Sequence, residues 1–134
     1  MSKRQEIIDA LTKKLRSLPT FNQVLLWDNV PNQYSTNAVY LKDTREKYEK
    51  KNSVYQATLR IELVAIVIET KNVPAANLGN LALRELIEAV AGLTVKGAIF
   101  NLIDSFKYID TKGVTACEVE LNIDVKYQFG GISR

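Results

Sequence analysis

Glu118 and Glu120 stand two residues apart in a period-two segment, a spacing that puts both carboxylates on one face of a strand. Such a pair could act as general acid and base, or begin a metal site. No companion carboxylate cluster marks the rest of the sequence, and alternating Glu is ordinary on a wet strand face. With Asp124 on the same parity, the acids read as a solvated face or a subunit interface and not as catalytic groups. Cys117 has the opposite parity, among Thr115, Val119, Leu121 and Ile123, so its thiol reads as a small core hydrophobe and not as a nucleophile. The chain has one cysteine and no histidine, which excludes disulfide frameworks, Cys/His zinc sites and histidine triads. Its six glycines form neither GxGxxG nor GxxxxGK[ST]. The expectation is a protein with no catalytic, cofactor-binding or metal site: not an enzyme.

A second group of residues invites a nucleic-acid reading. Between Lys42 and Lys51 eight of ten residues are charged: Lys42, Asp43, Arg45, Glu46, Lys47, Glu49, Lys50 and Lys51. Tyr48, amid Lys47, Lys50 and Lys51, is the one large nonpolar body there. Yet the run is mixed in sign, and the whole chain carries only +3, from eighteen basic and fifteen acidic residues. Specific binders show a basic stripe with aromatics or a recognisable module, and neither is present. With no apolar stripe, the segment at about 42–52 reads as a mobile charged loop or hairpin tip that stays solvated or docks on a protein.

The elements that must position these residues follow from periodicity. The 134 residues, 46% of them apolar, fit one domain with a real core. Ile7, Ile8, Leu11, Leu15 and Leu18 predict a helix over 3–17, with Ser2 and Gln5 as a capping box and Pro19 as its stop. Short strands are predicted at Gln23–Asp28 and Ala38–Leu41. From Ser53 to Glu69 the pattern has period two, then turns apolar on both faces after Leu63, as in a strand covered on both sides. Leu78, Leu81, Leu83, Leu86, Ile87 and Val90 predict a heavily buried helix over 75–91, packed on a sheet and on something else. A strand over 102–108, a turn at Thr111–Gly113 and a final strand over 115–127 complete the order α-β-β-β-α-β-β. The fold class is α+β, an antiparallel sheet with two helices packed on it.

Two of these strands are too long for their domain. At about 3.3 Å per residue, Ser53–Glu69 would run about 55 Å, against a diameter of roughly 35 to 40 Å for a chain this size. They must bend at bulges or project, and projecting strands need a neighbour to cover their backbone. A ring in which each subunit's strands meet the next subunit's is the economical solution. The opening MSKRQEII lacks the apolar run of a signal peptide, and the longest apolar run, Leu63–Ile68, is too short to span a bilayer. The expectation is a soluble protein that works or is assembled in a cytoplasm.

The order and texture resemble the tail terminator (tail completion) proteins of tailed bacteriophages. RQEIIDALTKKLRSL is similar to that family's N-terminal helix, and VLLWDN to its first short strand. KDTREKYEKKN, entering VYQATLRIELVAIVIE, resembles a hairpin feeding a central strand. LGNLALRELIEAVAGL, IFNLIDSFKYID and CEVELNIDVKY are similar to the second helix, next strand and closing strand. The resemblance covers nearly the whole chain, by pattern and order and with no diagnostic motif. It implies a structural virion protein of the tail and neck, assembled in the host cytoplasm. Family members form a ring, usually a hexamer, that caps the tail tube and stops its polymerisation. The implied partners are further copies of the chain, the tail tube protein and sheath, and the head-to-tail connector or neck proteins. DNA passes through the lumen without specific binding, and no membrane is involved. Glu118, Glu120 and Asp124 would then line the lumen or a subunit interface. The alternatives are another neck component, such as a head-closure or connector protein, or a small nucleic-acid-binding protein.

Overall fold

A computed structural model describes residues 2–130. Helix α1 spans Lys3–Arg16, where Ser2 Oγ accepts from the Gln5 amide at 3.1 Å. The reciprocal half of the capping box is not made, because the Gln5 side chain donates to Asp9 at 2.8 Å. Strand β1 is Gln23–Leu26, β2 Ala38–Lys51 and β3 Val54–Ile68; helix α2 is Ala75–Ala91; β4 is Ala98–Lys112 and β5 Val114–Gly130. The strands form one five-stranded sheet in the order β1-β2-β3-β5-β4. This is the α+β order read from the sequence, with one departure: β1 pairs parallel to β2, so the sheet is mixed, and every other pair is antiparallel.

Both helices lie on one face of the sheet. There Leu59, Ile61 and Leu63 of β3 and Val119, Leu121 and Ile123 of β5 meet Ile7, Leu11 and Leu15 of α1 and Leu86 and Val90 of α2. The wide apolar stripe of α2 is largely absorbed by the sheet and α1; of its large apolar residues only Leu81 is exposed. Gly79 is required where α2 crosses β5: a Cβ there would sit 2.3 Å from Cys117 Sγ. Cys117 is fully buried, as its parity implied, and burial pushes its thiol pKa up, away from thiolate reactivity.

The opposite, open face is covered only at one end. The chain between β1 and β2 folds over it, and Tyr34 joins Ala38, Tyr40, Ile66 and Ala116 in a second small core. The doubly apolar stretch of β3 after Leu63 is thereby explained, since Ala65 and Val67 face the helices while Ile66 faces this cover.

Two sequence readings are corrected. Of the two readings of residues 42–51 the loop is wrong and the hairpin holds: they are the distal part of β2, laddered to β3 from Lys42↔Glu62 to Lys51↔Val54. Backbone pairing, not an apolar stripe, holds them, and only the turn remains: Asn52, at φ 58°, takes the left-handed conformation that Asn tolerates. The strand predicted at 102–108 likewise extends to 98–112. The two strands read as too long, β3 and β5, pair with each other along their length without a bulge; the bulges fall instead in their outer neighbours, at Thr44 of β2 and Ile103 of β4. At the far end the β2–β3 hairpin and the end of β5 leave Tyr48 and Phe129 exposed.

Candidate assembly surface

The register places side chains on the open face in rows across β2, β3, β5 and β4. Nearest the covered end lie Ala38–Ile66–Glu118–Tyr108 and Tyr40–Val64–Glu120–Phe106; then Lys42–Glu62–Asn122–Asp104; then Arg45–Arg60–Asp124–Asn101 and Lys47–Thr58–Lys126–Ile99. The face thus grades from aromatic and acidic at one end to basic towards the hairpin tip.

The structure separates the three acids that the sequence grouped. Glu118 is buried, contrary to a wet strand face: Tyr34 donates its hydroxyl to it, and Lys112 Nζ lies 3.6 Å away. Its cover comes from Tyr34, 84 residues distant in the chain. Burial, then the bond to Glu118, raises the Tyr34 hydroxyl pKa; the same two causes push Tyr108 up to about 12. Asp124 is tied to Arg60, whose Nε donates at 2.6 Å. Glu120 is half-buried and accepts from Asn122 at 3.2 Å. Partial burial holds its carboxyl above the usual range, opposed by the Asn122 bond and reinforced by Glu62 and Asp104. Among the described residues no group of three His, Cys, Asp or Glu side chains is placed to hold a metal ion.

The charged segment divides by face. Asp43 and Glu46 point to the helix side, where Arg4 of α1 grips both, at 2.8 and 3.2 Å. Glu46 also accepts from the Tyr127 hydroxyl. Lys42, Arg45 and Lys47 point to the open side, and a shallow groove of about 260 Å³ there is lined by Arg45, Lys47, Arg60 and Lys126 around Asp124. At the tip Tyr48, Tyr55 and Tyr127 gather round Phe129, with Tyr55 stacked on it at 5.4 Å between ring centres.

The two sheet edges are the least satisfied parts of the molecule. On one side β1 pairs only with Ala38–Leu41, and the Trp27 amide bonds to Leu41 O; from Lys42 to Lys51 the outer edge of β2 has no strand beside it among the described residues. On the other, β4 has no strand beside it among the described residues, although near its end the Lys112 carbonyl accepts from the Tyr34 amide at 2.8 Å. Along it Ile99, Leu102, Ile103, Phe106, Tyr108 and Ile109 are each between 44% and 64% exposed. Lys107 anchors the strand to α2 by donating to Ala76 O and Asn80 Oδ1. Sequence reasoning missed this surface, although a signal existed: apolar residues fall on both parities of IFNLIDSFKYI, which a strand with one wet face does not show. A long apolar edge with open backbone groups is a template for pairing with another chain.

No family model matches the sequence, and no curated protein matches it. Neither helix is long and apolar enough to cross a membrane.

Proposed function

We propose that this chain is a structural assembly subunit, a phage tail terminator. In this reading its copies close into a six-membered ring that caps the tail tube, ends its growth and joins it to the neck, while DNA passes through the lumen. The observation that carries it is β4, fifteen residues of edge strand with apolar side chains exposed on both faces. A contact between unlike patches of one surface closes into rings when its rotation closes, and this molecule has two unlike edges. The groups that could do chemistry are otherwise engaged: Glu118 with Tyr34 and Lys112, Asp124 with Arg60, Cys117 under Gly79. Light scattering and electron microscopy test the reading. Six copies of 15.1 kDa should give closed rings of about 90 kDa with a central hole. A chain that stays monomeric to millimolar concentration overturns it.

A second reading, a small nucleic-acid-binding protein, draws on the groove of Arg45, Lys47, Arg60 and Lys126. It takes first place if the chain binds duplex DNA at physiological salt much more tightly than the roughly 10⁻⁴ to 10⁻⁶ M of non-specific binding.

A further inference from the structure

We infer that the distal half of β2, Lys42–Lys51, of one copy pairs edge to edge with the outer side of β4 of the next copy, joining their open faces into one continuous sheet. The inference rests on the ring reading and names the contact that would build it. Both partners lack a neighbouring strand among the described residues: the ten residues Lys42–Lys51 of β2, and β4 up to Lys112, whose carbonyl Tyr34 already claims. That leaves β4 long enough to take the whole of the β2 segment. Their directions agree as well. Because β2/β3, β3/β5 and β5/β4 are all antiparallel, β2 runs opposite to β4 within one copy. A rotation about an axis inclined to the strands, as in a closed sheet, then sets the next copy's β2 antiparallel to β4 without a reversal, with a stagger that clears β1 on Ala38–Leu41 and carries Lys42 towards Asp110.

Charge decides between this pairing and its rivals. On the open face β2 presents Lys42, Arg45 and Lys47, while β4 presents Asp104 and Asp110, with Glu62 and Glu120 on the strands behind. Of the three acids of the β2 segment, Asp43 and Glu46 are turned to the helix side and held by Arg4, while Glu49 stays on the open face beside Lys51 Nζ, at 3.6 Å. The exposed rings of Phe106 and Tyr108 would be covered by the aliphatic stems of the arriving cations. Two copies joined by β4 alone, about a two-fold axis centred at Lys107, would set Asp104 against Asp110, a like-charge pair directly opposite. Lysines on a free edge ordinarily block indiscriminate strand pairing. Here they leave the β2 edge open only to an acidic partner, which is specificity by repulsion of the wrong one.

Two charge-reversed variants test this. Arg45→Glu/Lys47→Glu makes the β2 edge acidic and sets residue 45 opposite Arg60 as an attractive pair; Asp104→Lys/Asp110→Lys makes the β4 edge basic. Thermal melts establish that each variant is folded. Each alone should associate at least tenfold more weakly than the unaltered chain and run as a monomer in light scattering. Mixed in equal amounts they should recover the ring mass, because in an alternating ring every contact again joins opposite charges. If the unaltered chain forms rings and Arg45→Glu/Lys47→Glu forms them equally well, or if the mixture stays monomeric, the edge pairing is wrong and the ring reading survives. If the unaltered chain is itself monomeric, both fall.

Discussion

The two outer edges of the sheet solve the same problem with opposite materials. The distal half of β2 is clothed almost entirely in charge, and each acid on its inner side is held by Arg4. The outer edge of β4 is clothed in exposed Ile, Leu, Phe and Tyr, with few charges to repel a visitor. Charge along a free edge discourages indiscriminate strand pairing, whereas a long apolar edge is a template for it. Between them lie β3 and β5, whose inner faces are buried from Ala57 to Val67 and from Cys117 to Tyr127. On the assembly reading proposed above, stability and association are housed in different strands, so mutations should separate them.

The largest effect should come from breaking what both edges share. Leu121, 2% exposed, lies on β5 under the helices. Leu121→Ala should cost about 2 to 5 kcal/mol in urea unfolding, by lost burial and a residual cavity. Both edges should fail together, giving loss of fold and of assembly at one denaturant concentration. Next is Gly79→Ala, which presses a methyl group onto Cys117 Sγ at 2.3 Å and Cys117 Cβ at 3.1 Å. Overpacking costs about 1 to 3 kcal/mol, offset by up to about 1 kcal/mol of helix propensity. A net loss of about 1 kcal/mol is expected, reduced when Cys117→Ala is added; simple additivity in that cycle would mean that the two residues do not press on each other. Because α2 also anchors β4 through Lys107, the damage should reach the β4 edge before the β2 edge, readable as earlier amide exchange in β4.

How much of this was legible in the sequence depends on how locally each feature is determined. Helix α2 was read to the residue, because Leu78, Leu86 and Val90 carry its period by themselves. The central strands β3 and β5 were placed within a few residues for the same reason, since alternation over Tyr55–Leu63 and Thr115–Tyr127 is dense. The distal half of β2 was missed as a strand because alternation is visible only where one face is buried, and Lys42–Lys51 is held by the β3 ladder instead. Glu118 was misplaced because what buries it, Tyr34, comes from a segment with no periodicity at all. Glu118, Glu120 and Asp124 do share one face, but of the three Glu118 is buried while Glu120 and Asp124 stay partly exposed. No local pattern announces that Arg60 or Lys112 will claim an acid.

A smaller effect is expected where the charged edge meets α1. Arg4→Ala leaves Asp43 and Glu46, mostly buried side chains, without their cation. The Arg4 side chain itself is 39% exposed, so solvent takes over part of its role, and the loss should be about 1 kcal/mol in a thermal melt. It should rise at low salt, where partly exposed ion pairs are screened less. If melting is unchanged while ring formation drops, Arg4 serves the edge alone.

Glu120 should give the smallest effect and the sharpest one. Its carboxyl is raised above 4.5 by partial burial and by Glu62 and Asp104, against the Asn122 bond. A carboxyl with a raised folded pKa is easier to protonate in the native state than in the unfolded chain. Its ionisation therefore subtracts stability, and the subtraction begins as pH climbs past the unfolded value and is complete above the folded one. Below about pH 4, where both states hold the proton, there is no penalty. Glu120→Gln should accordingly melt higher than the unaltered chain at neutral pH and coincide with it in acid. Assembly should respond in the opposite sense. When the next copy's Arg45 and Lys47 arrive beside Phe106 and Tyr108 of β4, Glu120 lies on the strand behind them, and removing its charge should weaken the ring even as it steadies the subunit. A variant more stable as a subunit and less associated at pH 7 would separate the two edges cleanly. One that gains or loses in both would mean that the acidic side of β4 serves folding and not the neighbour.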